Sequence, residues 1–181
     1  MQTEGATRLL HDGWEALAAA DWPTARTCFE QALEQVETAE ALDGLSQALH
    51  FQREYEAATE LKERAFAAYR EEGNRVKAAD TARWLGFLHG TFHGNYAVAG
   101  GWIGRAESML EGVDECAAHG WLTLDRSVFS SSVSEREQCA VSALAIARRF
   151  GDTDLEFEAL ALLGETRVAS GRVAELSLIH I

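Results

Sequence analysis

The feature that most constrains this chain is the spacing of small and bulky residues in GWEALAAADWPTARTCFEQA, residues 13–32. Gly13 and Ala16 fall on one face of a helical stretch, and Ala25 and Ala32 fall on one face of the next. Trp22 and Phe29 supply bulk at intervals that place them between the two. Asp21 is a helix-capping residue type, and Pro23 sits where a first helical turn needs no amide donor. Such a stretch reads as helix, tight turn, helix. One hairpin of this kind cannot bury its apolar face alone, so it requires stacked copies.

The copies are present. Helices are expected over residues 3–19 and 23–37, then 39–51 and 54–72. Tyr55 stands in the place of Trp22 and Ala58 in that of Ala25, and Gly73 closes the fourth helix. A third pair begins with residues 77–90, which carry Trp84-Leu85-Gly86. It turns at Gly94-Asn95-Tyr96 and continues through Ala99, Ile103 and Ala106. A degenerate fourth pair covers residues 116–129 and, after a Ser130-Ser131-Ser132 break, a helix capped by Ser134 that runs to Phe150. Residues 154–170 open a fifth unit, with Leu160, Leu163 and Gly164 at the repeat positions. The spacing resembles the tetratricopeptide repeat, a two-helix unit of about 34 residues. It implies an all-α fold, a right-handed α-solenoid of four hairpins and part of a fifth, as one domain over residues 1–175.

Composition agrees with this reading and narrows the function. Hydrophobic residues make up 47% of 181, with a single Pro, which fits a folded chain with no strand-like alternation. Acidic residues outnumber basic ones, 29 to 16, for a net charge of −13. That field repels phosphates, so nucleic-acid binding through this segment is not expected. Cys28, Cys116 and Cys139 lack metal-ligand or paired spacing and read as buried free thiols of a reducing compartment. No signal peptide and no membrane span is legible, which points to the cytoplasm.

Residues 176–181, LSLIHI, break the repeat. They match the in-frame translation of a common transposase-adapter end, so they are expected to be non-native, with the natural protein running on.

A narrower resemblance rests on ordered blocks. These are Ala147-Arg148-Arg149-Phe150-Gly151-Asp152-Thr153-Asp154-Leu155-Glu156 with Ala159-Leu160, Gly164 and Val168-Ala169-Ser170-Gly171-Arg172. Trp84-Leu85, Gly94-Asn95-Tyr96-Ala97-Val98-Ala99, Gly101-Trp102-Ile103, Arg105-Ala106-Glu107 and His119-Gly120-Trp121-Leu122 add to them. Together they resemble the repeat region of LuxR-type transcriptional regulators over nearly all of residues 8–175. The resemblance implies a sensor or interaction region that precedes a DNA-binding helix-turn-helix. Neither that DNA-binding part nor a Gly-rich phosphate loop is present in this sequence.

No chemistry-bearing motif stands out. His89 and His93 have the i, i+4 spacing of two metal ligands, but Gly90 replaces the Glu of the zinc-hydrolase pattern and Gly94 ends the helix. They read as packing or surface residues. Asp152, Asp154, Glu156 and Glu158 suit the positive end of a helix better than a cation site. Cys28, between Ala25 and Phe29, reads as core. No catalytic residue, metal or cofactor is expected. Projecting the repeat puts Trp14, Asp43, Gln47, His50, Arg83, Phe87, Arg126 and Glu165 on the concave face, as a groove for a protein or peptide partner or a small-molecule effector. The alternative to a regulator's sensing region is a stand-alone scaffold that gathers proteins.

Overall fold

A computed structural model of the chain describes residues 2–172; the 176–181 tail discussed above lies outside the described residues. Among the described residues there are nine α-helices and no strand. They are α1 Gln2–Ala18, α2 Trp22–Gln35, α3 Ala39–Phe51, α4 Tyr55–Glu71, α5 Arg75–Thr91, α6 Tyr96–Leu110, α7 Ala117–Ser127, α8 Val133–Phe150 and α9 Thr153–Ala169. The chain divides into two compact units, residues 1–109 and 110–181. Helices α1 to α5 pack each on its sequence neighbour, as do α7 to α9, and Gly86 of α5 lies against Ile103 of α6, the arrangement of a helical-hairpin solenoid.

Short polar side chains set the helix starts. Asp21 accepts from the Thr24 amide at 3.2 Å, Thr38 from Ala41 at 3.2 Å, and Asn74 from Lys77 at 3.2 Å. Each occupies an amide that the helix itself leaves without a partner. The eighth helix is capped by Ser132 and not by Ser134, which lies inside the first turn. Ser132 can do this because its backbone is extended while its hydroxyl reaches the Glu135 amide at 3.3 Å.

In the first unit, Ala16, Leu17, Ala25, Phe29, Leu45, Ala48, Leu49 and Ala58 form one apolar cluster. Phe29 is its centre and is fully buried. Its ring is gripped by two glycines. A Cβ on Gly13 would come within 2.8 Å of it, and one on Gly44 would overlap it. The close approach of α1 and α3 to α2 therefore requires residues without side chains there. Trp22 is not enclosed beside Phe29. It lies half-buried and stacks on Phe51, with ring centroids 4.2 Å apart.

In the second unit, Leu124, Ala143, Ala147, Leu155 and Ala159 make the core, with Trp121 and Ile146 packed against it. The Trp121 indole N–H donates to Asp152 Oδ2 at 2.9 Å, while Oδ1 of the same carboxylate caps α9 at the Leu155 amide, also at 2.9 Å. One side chain thus starts α9 and ties it to α7.

Candidate functional site: the face of helices α3 and α5

Helices α3 and α5 place their residues at the same spacing along one face. Glu40, Asp43, Gln47 and His50 on α3 have the spacing i, i+3, i+7, i+10 that lines one side of a helix. Lys77, Asp80, Trp84 and Phe87 on α5 have the same spacing. Helix α4 runs back between them and contributes Tyr69, Lys62 and Tyr55, seven residues apart. The face divides into three layers.

The middle layer is a buried ion pair. The Lys62 ammonium donates to Asp43 Oδ1, with the two side chains 2% and 10% exposed. Tyr69, also buried, is hydrogen-bonded to Asp43. Lys62 Nζ also lies 5.5 Å from the centroid of the Trp84 ring. Charges this deep persist only when paired, and removing one partner strands the other. Asp80 sits alongside. Burial pushes its carboxyl above the usual range, against the lowering pull of Arg83 and Lys77.

The second layer is aromatic. The His50 ring lies 5.2 to 5.6 Å from the rings of Phe51, Tyr55, Trp84 and Phe92, and 6.3 Å from Phe87. Tyr55 stacks on Phe92 at 4.2 Å, repeating the Trp22–Phe51 stack one hairpin earlier. His50 Nδ1 is buried without a hydrogen-bond partner. Burial, then the charge of Lys62, lowers its pKa, so the ring is held neutral. Phe51, Phe87 and Phe92 remain 46%, 42% and 38% exposed, so this layer opens to solvent.

The third layer is a cleft of about 610 Å³ lined by Leu10, Trp14, Thr38, Glu40, Tyr69, Glu72, Asn74 and Lys77. The Trp14 indole N–H donates to Glu40 Oε1 at 2.9 Å. Burial pushes the Tyr69 phenol pKa up, and the charges of Asp43, Glu40 and Glu72 push it further.

Of the residues expected in a groove, Asp43, Gln47, His50, Arg83 and Phe87 lie on α3 and α5 of the first unit. Trp14 lines the cleft. Arg126 and Glu165 belong to the second unit, where Glu165 pairs with Arg136 at 3.2 Å. Lys62, Tyr69 and Asp80 were not foreseen. A usable signal for Lys62 existed: Ala58, Lys62, Ala65 and Tyr69 share the i, i+4, i+7, i+11 stripe of α4, which is its buried side.

The His89 and His93 rings are 5.3 Å apart, yet they face different partners on α4. His89 Nε2 is 3.8 Å from Glu63, and His93 Nε2 is 3.2 Å from Thr59 Oγ1. Among the described residues, no three His, Cys, Asp or Glu side chains converge to hold a metal ion. Cys28, Cys116 and Cys139 are free and half-buried rather than fully enclosed. Burial raises the Cys28 pKa, which opposes thiolate formation. No helix among the described residues is long and apolar enough to cross a membrane.

These features define an all-α helical-repeat protein with a layered polar and aromatic face on its first unit. Comparison with protein families finds no match, and comparison with curated proteins finds none either. Among solved structures, BtubC (BKLC) from P. vanneervenii is similar, with a TM-score of 0.67 over 98% of this chain and 86% of that one, at 15% identity. At that identity the likeness shows the fold alone.

Proposed function

We propose that this chain is a non-enzymatic, ligand-engaging repeat region, the effector-sensing or protein-interaction part of a LuxR-type transcriptional regulator in the cytoplasm. The observation that carries the interaction reading is the α3/α5 face. A buried ion pair fixes its geometry, and open aromatic rings and a cleft lie to either side. Exposed aromatic side chains on a rigid support are what binding surfaces use. The LuxR assignment rests on the ordered sequence blocks between Trp84 and Arg172. The net charge of −13 disfavours nucleic acid as the direct ligand of this segment.

In this reading a ligand on the α3/α5 face favours one arrangement of the stacked hairpins and so changes how a following DNA-binding domain is presented. A ligand of equal affinity for both arrangements would do nothing. The test has two arms. Reading the genomic locus past residue 175 should reveal a helix-turn-helix; a different ending overturns the regulator and leaves a scaffold. Hydrogen exchange on the longer protein with its physiological ligand should slow in α3 and α5. Unchanged exchange in both helices would remove this face from the binding reaction.

A further inference from the structure

The cleft at the start of α3 and α5 has a chemical preference that the interaction reading leaves open. Its volume of about 610 Å³ suits a single side chain with its flanking backbone. Trp14 and Tyr69 supply aromatic walls, Leu10 an apolar one, and Glu40 and Glu72 carboxylates. Of the cations nearby, Lys62 is paired with Asp43, and Lys77, which itself lines the cleft, lies within Coulombic range of Asp80, so the lining sets two carboxylates against one ammonium. Burial raises the pKa of the Tyr69 phenol at the cleft, and the nearby charges of Asp43, Glu40 and Glu72 raise it further.

An anion is the competing ligand, since two helices begin here and helix starts attract negative charge. Each of these helix starts already has one first-turn amide occupied, since Thr38 takes the Ala41 amide and Asn74 takes that of Lys77, and Glu40 and Glu72 add negative charge beside them. The charge of the whole chain, −13, also draws in basic surfaces and repels acidic ones.

We propose that this cleft receives a lysine or arginine side chain from an extended basic segment of a partner protein, seated between Trp14 and Tyr69 and facing Glu40 and Glu72. The proposal rests on the interaction reading above and gives its site a partner class. The side chain's aliphatic stem packs against Leu10 and the rings while its charged head meets the carboxylates.

The test is calorimetric titration, at low ionic strength, of the full chain with an acetylated, amidated peptide of alternating glycine and arginine. Binding is expected, and Glu40→Gln with Glu72→Gln should weaken it about tenfold, a loss of about 1.4 kcal/mol. Glutamine at position 40 retains an oxygen to accept the Trp14 indole N–H, so the local hydrogen bond survives. The control is Asp154→Asn with Glu158→Gln, the same charge change on exposed positions of α9. It should alter affinity by less than about twofold. An equal loss in both double variants would mean diffuse charge attraction and overturn the site. Free arginine amide binding as tightly as the peptide would overturn the protein partner in favour of a small amine. No binding would sink the inference while leaving the regulator reading to the genomic test.

Discussion

The two units are built from the same hairpin but hold it together differently. The first places a lysine, an aspartate and a tyrosine inside its helix stack and wraps a histidine in five rings. The second relies on alanine and leucine packing and on partly exposed ion pairs such as Arg148–Glu156 and Arg136–Glu165. Apolar packing is sufficient to make helical pairs cohere. A buried charge pair adds little net stability over an apolar substitute, so its retention is better understood as fixing one arrangement of α3 against α4. The contrast teaches that the repeat supplies the scaffold in both units, while the first unit departs from the repeat where it presents a face.

Four perturbations break or sharpen that contrast. The largest effect is expected from Lys62→Met, which leaves Asp43 buried without its cation. Urea unfolding should show a loss of about 3–5 kcal/mol, and Lys62→Met with Asp43→Leu should recover much of it. A loss under about 1 kcal/mol in the single variant would mean that the pair is more solvated than its burial implies.

Next come the glycines. Gly44→Ala pushes a methyl into the rigid Phe29 ring, at an expected cost of about 1–3 kcal/mol. Gly120→Ala meets Leu155 Cδ2 at 2.6 Å and Ile146 Cγ2 at 3.1 Å, a shallower overlap than the approach to the Phe29 ring at Gly44, 2.3 Å. Its cost should be the smaller of the two. Thermal melts of both variants settle the order, and equal costs would show that the second unit packs as tightly as the first.

The third perturbation is pH. His50 has a lowered pKa in the folded chain, so the unfolded chain binds its proton first as pH falls below the ordinary value near 6.5. Stability from keeping His50 neutral is therefore complete above that pH and declines beneath it. Asp80, with a raised pKa, acts in the opposite sense, because the folded chain takes up its proton at higher pH than the unfolded chain does. A His50→Phe variant should show a shallower fall in stability between pH 6.5 and the carboxylate range. An unchanged slope would assign the acid sensitivity elsewhere. The smallest effect is expected from Arg148→Ala in the second unit. Its pair with Glu156 is largely solvated, and chemical unfolding should register a change of less than about 0.5 kcal/mol.

Much of the fold was legible in the sequence. The hairpin boundaries fell within a few residues of the observed helices, because capping residues and apolar periodicity act locally. The equivalence of Trp22 and Tyr55 was also readable, and each stacks on a phenylalanine from the following helical segment. Those partners, Phe51 and Phe92, were not singled out, since each follows its stacking residue from another helical segment and at a different distance along the chain. Ser132 displaced Ser134 as a cap because the four serines Ser130, Ser131, Ser132 and Ser134 offer equivalent chemistry and only the backbone turn chooses among them.

The candidate site was less legible. Asp43, His50 and Phe87 could be assigned to a face by repeat position, but charge sign and exposure could not. Lys62 sits among Glu60, Glu63 and Arg64, and by composition it reads as one more solvated residue. Its burial depends on α3 delivering Asp43, nineteen positions earlier, to its ammonium group. Local spacing by itself determined that this chain forms helical hairpins that must stack, because helix periodicity and capping are properties of neighbouring residues. Only the tertiary structure decided which polar groups are enclosed, which rings stay open and where the cleft lies, because desolvation and charge pairing depend on groups brought together from distant helices.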